Sequence, residues 1–129
     1  MLQIKDITKD YPVGTDMTVH ALKGVSLNFR KSEFVSVLGA SGCGKTTMGR
    51  TVLKLHQPTA GQIFFRGEDI AAFKPKQMRP LRTKMQIVFQ DPYSSLPPRS
   101  TVGDILSEPV LVHKIVPKEE HKEYVMSII

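Results

Sequence analysis

Apolar and polar residues alternate at the start of the chain, in Leu2-Gln3-Ile4-Lys5-Asp6-Ile7, and the period of two predicts a half-buried strand. Val25-Ser26-Leu27-Asn28-Phe29-Arg30 alternates as cleanly and predicts a second strand, which Val19 to Leu22 can extend; a loop with Pro12 and Gly14 separates the two. Phe34-Val35-Ser36-Val37-Leu38 differs: it is mostly apolar, β-branched or aromatic, the composition of a strand covered on both faces. Met48, Val52 and Leu55 then recur at helical spacing, with Arg50 and Lys54 off that stripe, so an amphipathic helix is expected. Pro58-Thr59-Ala60-Gly61 predicts a turn, Gln62 to Phe65 a strand, and Arg66-Gly67-Glu68-Asp69 another turn. Met78 to Thr83 is weakly helical because Pro80 interrupts it. Met85-Gln86-Ile87-Val88-Phe89 predicts a fifth strand ending at Gln90-Asp91-Pro92.

Beyond that point the pattern changes. Ser94 to Ser100 is a proline-rich connector. Thr101 offers an N-cap to a helix through Ile105 and Leu106 that Pro109 limits or kinks. Pro117-Lys118-Glu119-Glu120 opens a second helix, with acidic residues in its first turn, reaching Val125, Met126, Ile128 and Ile129. That helix stops on apolar residues with no C-cap, which reads as a chain cut rather than finished.

Composition narrows the class. With 129 residues, 40% apolar and 23% charged, the chain is at most one domain of ordinary globular makeup. No apolar run is long enough to span a bilayer, and Met1-Leu2-Gln3-Ile4-Lys5 does not open a secretory signal. One cysteine forms no internal disulfide, so a reducing cytosol is expected. The net charge of +6 raises the question of nucleic acid. The densest basic cluster, Lys74 to Lys84, has prolines but no interleaved aromatics for base stacking, and reads as a solvated face.

The candidate chemistry lies between the two-face-covered strand and the amphipathic helix. Gly39-Ala40-Ser41-Gly42-Cys43-Gly44-Lys45-Thr46 fits the phosphate-cradling pattern G-x-x-x-x-G-K-[ST] in its proper strand-to-helix setting. The glycines let backbone N–H groups turn inward as an anion nest, and the helix adds its positive end. Lys45 can reach the β- and γ-phosphate oxygens, and the Thr46 hydroxyl is placed to ligate Mg²⁺. Cys43 occupies a position that the pattern leaves free and serves as a small filler. These residues predict a nucleoside-triphosphate site.

The order of elements resembles the first half of an ABC-transporter ATP-binding subunit. The stretch Met85-Gln-Ile-Val-Phe-Gln90-Asp91-Pro92-Tyr93-Ser-Ser-Leu96, followed by Pro98-Arg99, resembles the oligopeptide, dipeptide and nickel importer branch. The resemblance covers essentially the whole chain. It implies an α/β P-loop NTPase fold of ABC-ATPase type: the N-terminal part of a mixed sheet with the P-loop helix, plus the start of a helical subdomain. Residues 1–92 would form the nucleotide-binding core and 93–129 the truncated beginning of the α-helical subdomain. It implies ATP and Mg²⁺ as cofactors, with Gly39, Ser41, Gly42, Cys43, Gly44, Lys45, Thr46 and Thr47 around the phosphates. Tyr11, in the loop after the first strand, would stack on adenine. Gln90 would be the Q-loop glutamine, approaching Mg²⁺ and the attacking water, so the metal would be held by Thr46 and Gln90.

The resemblance also implies import of peptides or a related solute, with transmembrane permease subunits and a second ATP-binding subunit in a head-to-tail dimer. The location would be cytoplasmic, peripheral on the inner face of the cell membrane, with no nucleic-acid partner. Ala40, Ser32 and Pro97 depart from the branch's usual acidic residue, glycine and asparagine. The family's signature, Walker B carboxylates and switch histidine would fall past Ile129, so this chain alone is expected to lack ATPase turnover. Two alternatives stand beside this reading: a non-catalytic P-loop binding module, and a non-transport ABC protein acting on nucleic acid.

Overall fold

Twelve residues at the N-terminus form β1 (Leu2–Val13), which pairs antiparallel with β2 (Met17–Phe29) in a computed structural model that describes residues 1–91 and 95–129. The alternation that predicts β1 breaks inside it. Ile4 and Ile7 are three residues apart, so an unbroken strand would point them to opposite faces. Both are nonetheless fully buried, because the register shifts between them and Asp6 takes a left-handed backbone conformation with φ 47°. The bulge turns two core side chains to one side. The strand also continues past the predicted loop, through Pro12. Its ladder with residues 60–65, on the other side, ends at Thr8, so beyond that point β1 pairs only with β2, and proline is tolerated.

β3 (Ala60–Phe65) pairs antiparallel with the other side of β1, and the two-residue β4 (Glu68–Asp69) pairs with β3. The sheet order is β2-β1-β3-β4, and every ladder in it is antiparallel. The expected turn at Pro58–Gly61 therefore gives way to a strand that already starts at Ala60. α1 (Lys45–Val52) lays Met48 and Val52 against a core of Ile4, Ile7, Leu22, Ile63, Ile70 and Met78. The helix ends before Leu55: Lys54 turns left-handed at φ 55°, and the N–H groups of Leu55 and His56 fold back to the Arg50 carbonyl. α2 (Pro75–Met78) runs into a 3₁₀ turn at Arg79–Thr83, with Pro80 at its start rather than in its interior.

Two predicted strands do not form. Residues 34–38 and 85–89 belong to no ladder among the described residues. Phe34 is 96% exposed, Leu38 88% and Val88 96%. The cause is physical: an apolar run becomes a strand only when neighbouring strands satisfy its N–H and C=O groups, and a two-face-covered strand needs a neighbour on each side. In the order β2-β1-β3-β4 no strand of the antiparallel sheet pairs with either run.

The chain divides into two compact units, Met1–Met85 and Gln86–Ile129. In the second, α3 (Val102–His113) and α4 (His121–Ile128) bury Val110 and Val125, and His121 Nε2 lies 3.3 Å from the Ser107 carbonyl. Thr101 caps α3 as expected. Its hydroxyl accepts from the Asp104 N–H at 3.2 Å, while the Asp104 carboxylate accepts from the Thr101 N–H at 3.0 Å. The Thr101 hydroxyl also donates to the Asp104 carboxylate at 2.7 Å, and this bond, followed by that from the Thr101 N–H, holds the Asp104 carboxyl below its ordinary value of 3.8. Pro109 lies inside α3 without ending it. The helix stops at Lys114, left-handed at φ 51°, and a 3₁₀ turn at Lys118–Glu120 leads into α4. Residues 92–94, which hold the expected 92/93 boundary and the first residue of the proline-rich connector, lie outside the described residues.

Candidate functional site: the glycine loop and its surroundings

The segment from Gly39 to Gly44 turns into α1 through two left-handed residues, Gly42 at φ 81° and Gly44 at φ 92°. A side chain is excluded at Gly44 for a second reason. A Cβ there would lie 2.6 Å from the Ala21 carbonyl oxygen and 3.2 Å from the Leu22 side chain. The loop is therefore seated directly on the β2 backbone, and the antiparallel sheet fixes where α1 begins. No side chain caps this helix end, and no acidic residue occupies its first turn. Its leading N–H groups and dipole are thus available to an anion.

Lys45 folds back over the loop. Its ammonium donates to the Gly39 carbonyl at 2.6 Å and the Ala40 carbonyl at 2.8 Å, and lies 3.3 Å from Cys43 Sγ. The sequence-predicted residues Gly39, Cys43 and Lys45 thus come into one cluster, and a Cβ on Gly39 would strike Cys43 Sγ at 2.6 Å. Ser41 and Cys43 are exposed. Thr46 is exposed in the first turn of α1, and the Thr47 carbonyl accepts from the buried Thr51 hydroxyl at 2.7 Å. A left-handed glycine pair, free helix N–H groups and a lysine on a short leash suit a polyphosphate. An exposed hydroxyl beside such oxygens is a donor set for a hard divalent cation.

Tyr11 lies within β1 and not in the loop expected after it, because the β1–β2 ladder runs on to Val13. Its hydroxyl shares a hydrogen bond with His56 Nδ1, and the two rings stand at 84° with centroids 5.8 Å apart. The Lys9 ammonium sits 4.7 Å over the Tyr11 ring. Neither Lys9 nor His56 was expected from the sequence. His56 is 45 residues from Tyr11 and has no spacing signal of its own; only the pairing of β1 with the chain around Thr59 brings them together. Lower in the same loop, Lys54 donates to the Ala71 carbonyl, and burial pushes its ammonium below the usual lysine value against the pull of Asp69. Gln90 is exposed and belongs to the second unit.

Residues 22–127 match the family model described as ABC transporter. The chain belongs to the ABC transporter family. It is 41% identical to the dipeptide transport ATP-binding protein DppF of Escherichia coli (strain K12), over 99% of this chain and 40% of DppF. It is 38% identical to the oligopeptide transport ATP-binding protein AppF of Bacillus subtilis (strain 168), over 100% of this chain and 41% of AppF. It thus spans about two fifths of the length of these relatives. Among solved structures it resembles the ATP-binding cassette MJ0796, in a dimeric post-hydrolysis state bound to ADP and Pi. The TM-score is 0.80 at 28% identity, covering 98% of this chain and 55% of that one. The fold is that of the N-terminal part of an ABC-type P-loop ATPase. No helix among the described residues is long and apolar enough to cross a membrane.

Proposed function

We propose that this chain carries the nucleotide-binding part of an ATP-binding subunit that energises import of peptides or a related solute. The observation that carries the reading is the glycine loop seated on β2, with Lys45 and the uncapped start of α1 facing the same place. Gly39, Ser41, Gly42, Cys43 and Gly44 would wrap the phosphates, Lys45 would neutralise them, and Thr47 would add a hydroxyl. Thr46 would hold Mg²⁺, which supplies charge neutralisation at the β- and γ-phosphate oxygens when bound. Tyr11 would stack on the adenine. Residues 1–92 would be the nucleotide-binding core and 93–129 part of the helical subdomain.

The names of the relatives support peptide import, and the dimeric state of the MJ0796 cassette supports a second ATP-binding subunit as partner. Permease subunits would then hold the protein at the cytoplasmic face of the membrane. The test is a comparison of Mg·ATP with inorganic triphosphate. Tyr11→Ala weakens ATP by roughly 1–3 kcal/mol if the ring stacks on the base, and leaves triphosphate untouched. Equal weakening of both ligands would show that Tyr11 acts through the fold and not on the base.

A further inference from the structure

The loop leaving α1 is fastened to β1 at three points. The Thr59 N–H donates to the Thr8 carbonyl at 2.9 Å, and the Thr59 hydroxyl accepts from the Asp10 N–H, also at 2.9 Å. The third point is the hydrogen bond between the Tyr11 hydroxyl and His56 Nδ1. His56 is itself held to the helix, since its N–H donates to the Arg50 carbonyl at 3.2 Å. One residue therefore joins the tyrosine to the element whose opposite end carries the glycine loop.

From this linkage we infer that His56 is a positioning residue for the base platform, fixing the Tyr11 ring so that it stands ready for a nucleobase. The inference rests on the reading of Tyr11 as the stacking residue. Lys9 lies over the ring, and a base must approach the side that the ammonium does not cover. A tyrosine at the edge of a half-open sheet has two soft side-chain torsions, and an untethered ring must be ordered when the base arrives. The tether removes that cost beforehand. In the tautomer with its proton on Nε2, His56 Nδ1 accepts from the phenol O–H. The bond thus fixes the far end of the ring without occupying its face.

The experiment measures the affinity of Mg·ATP and of inorganic triphosphate for the parent chain and for His56→Ala, Tyr11→Phe and the double variant. His56→Ala and Tyr11→Phe each break the same bond, so each is expected to weaken ATP about three- to tenfold. The double variant is expected to fall no further, the mark of two groups acting through one contact. Triphosphate affinity stays unchanged throughout. His56→Asn, whose side-chain oxygen can take the place of Nδ1, recovers part of the loss. If His56→Ala fails to fold, Tyr11→Phe alone still reads the bond, because the ring is kept. The inference is overturned if triphosphate weakens in step with ATP, if the two losses add in the double variant, or if neither single variant changes ATP affinity. Lys45→Ala separates this from the nucleotide reading: it weakens both ligands if the phosphate site is correct, and if it weakens neither, that reading has failed, whatever His56 does.

Discussion

Replacing Lys45 by alanine tests the phosphate site most directly, and the structure sets how large the effect should be. A charge-assisted hydrogen bond from an ammonium contributes about 1.5–3 kcal/mol, which taken alone predicts a ten- to hundredfold loss of Mg·ATP affinity. The ammonium is not idle before the ligand arrives, however. It donates to the Gly39 and Ala40 carbonyls at 2.6 and 2.8 Å, and both bonds must be exchanged for phosphate contacts. Because those carbonyls sit on an exposed loop, water takes over their bonding at small cost. The exchange therefore trims the gain without cancelling it, and the loss should lie near the lower bound, about tenfold. Calorimetry or competition with a fluorescent ATP analogue measures it. Because the contact is to phosphate, inorganic triphosphate should lose affinity by the same factor. An unchanged affinity for both ligands would refute the assignment. A loss for ATP alone would show that Lys45 acts on the base side.

Gly44→Ala should destabilise the first unit by more than about 1 kcal/mol, since it adds left-handed strain at φ 92° and a Cβ 2.6 Å from the Ala21 carbonyl; an unchanged melting temperature would refute that seating. The Asp104 carboxyl titrates lower in the folded chain than in the unfolded one, so its contribution to α3 is fully present above pH 3.8 and is lost as pH falls through the lower folded value; side-chain NMR during an acid titration follows it, and Thr101→Ala should return the midpoint toward 3.8 and cost about 1 kcal/mol. Phe34→Thr should change stability by less than about 0.5 kcal/mol and reduce binding of an apolar dye, because the ring is 96% exposed; a large loss of stability would place Phe34 in a core.

What the sequence makes legible is what short stretches of chain decide for themselves. The period of two in Leu2–Ile7 and Val25–Arg30 locates the β1–β2 pair, and the cap at Thr101 locates the start of α3. The same local reading fails where a partner strand decides. Phe34–Leu38 and Met85–Phe89 carry the composition of covered strands, yet composition supplies no ladder, and neither run finds one among the described residues. The reach of β1 through Pro12 is a similar case. Proline argues for a loop until it is known that β3 pairs no further than Thr8 and leaves that edge open.

The site divides along the same line. Gly42, Gly44 and Lys45 are readable because the loop's shape follows from backbone freedom over six residues and from the helix that follows. The seating of that loop on the Ala21 carbonyl, and the bond between Tyr11 and His56, depend on residues 23 and 45 positions away. Histidine after an amphipathic helix has no pattern to announce it; it acquires a role only when the strand order brings β1 beside the chain at Thr59. A phosphate loop can therefore be read from a motif, whereas the platform for the base is a property of the sheet. Substitutions in the loop should act on every phosphate-bearing ligand alike, and substitutions at the sheet edge should act only on ligands that carry a base.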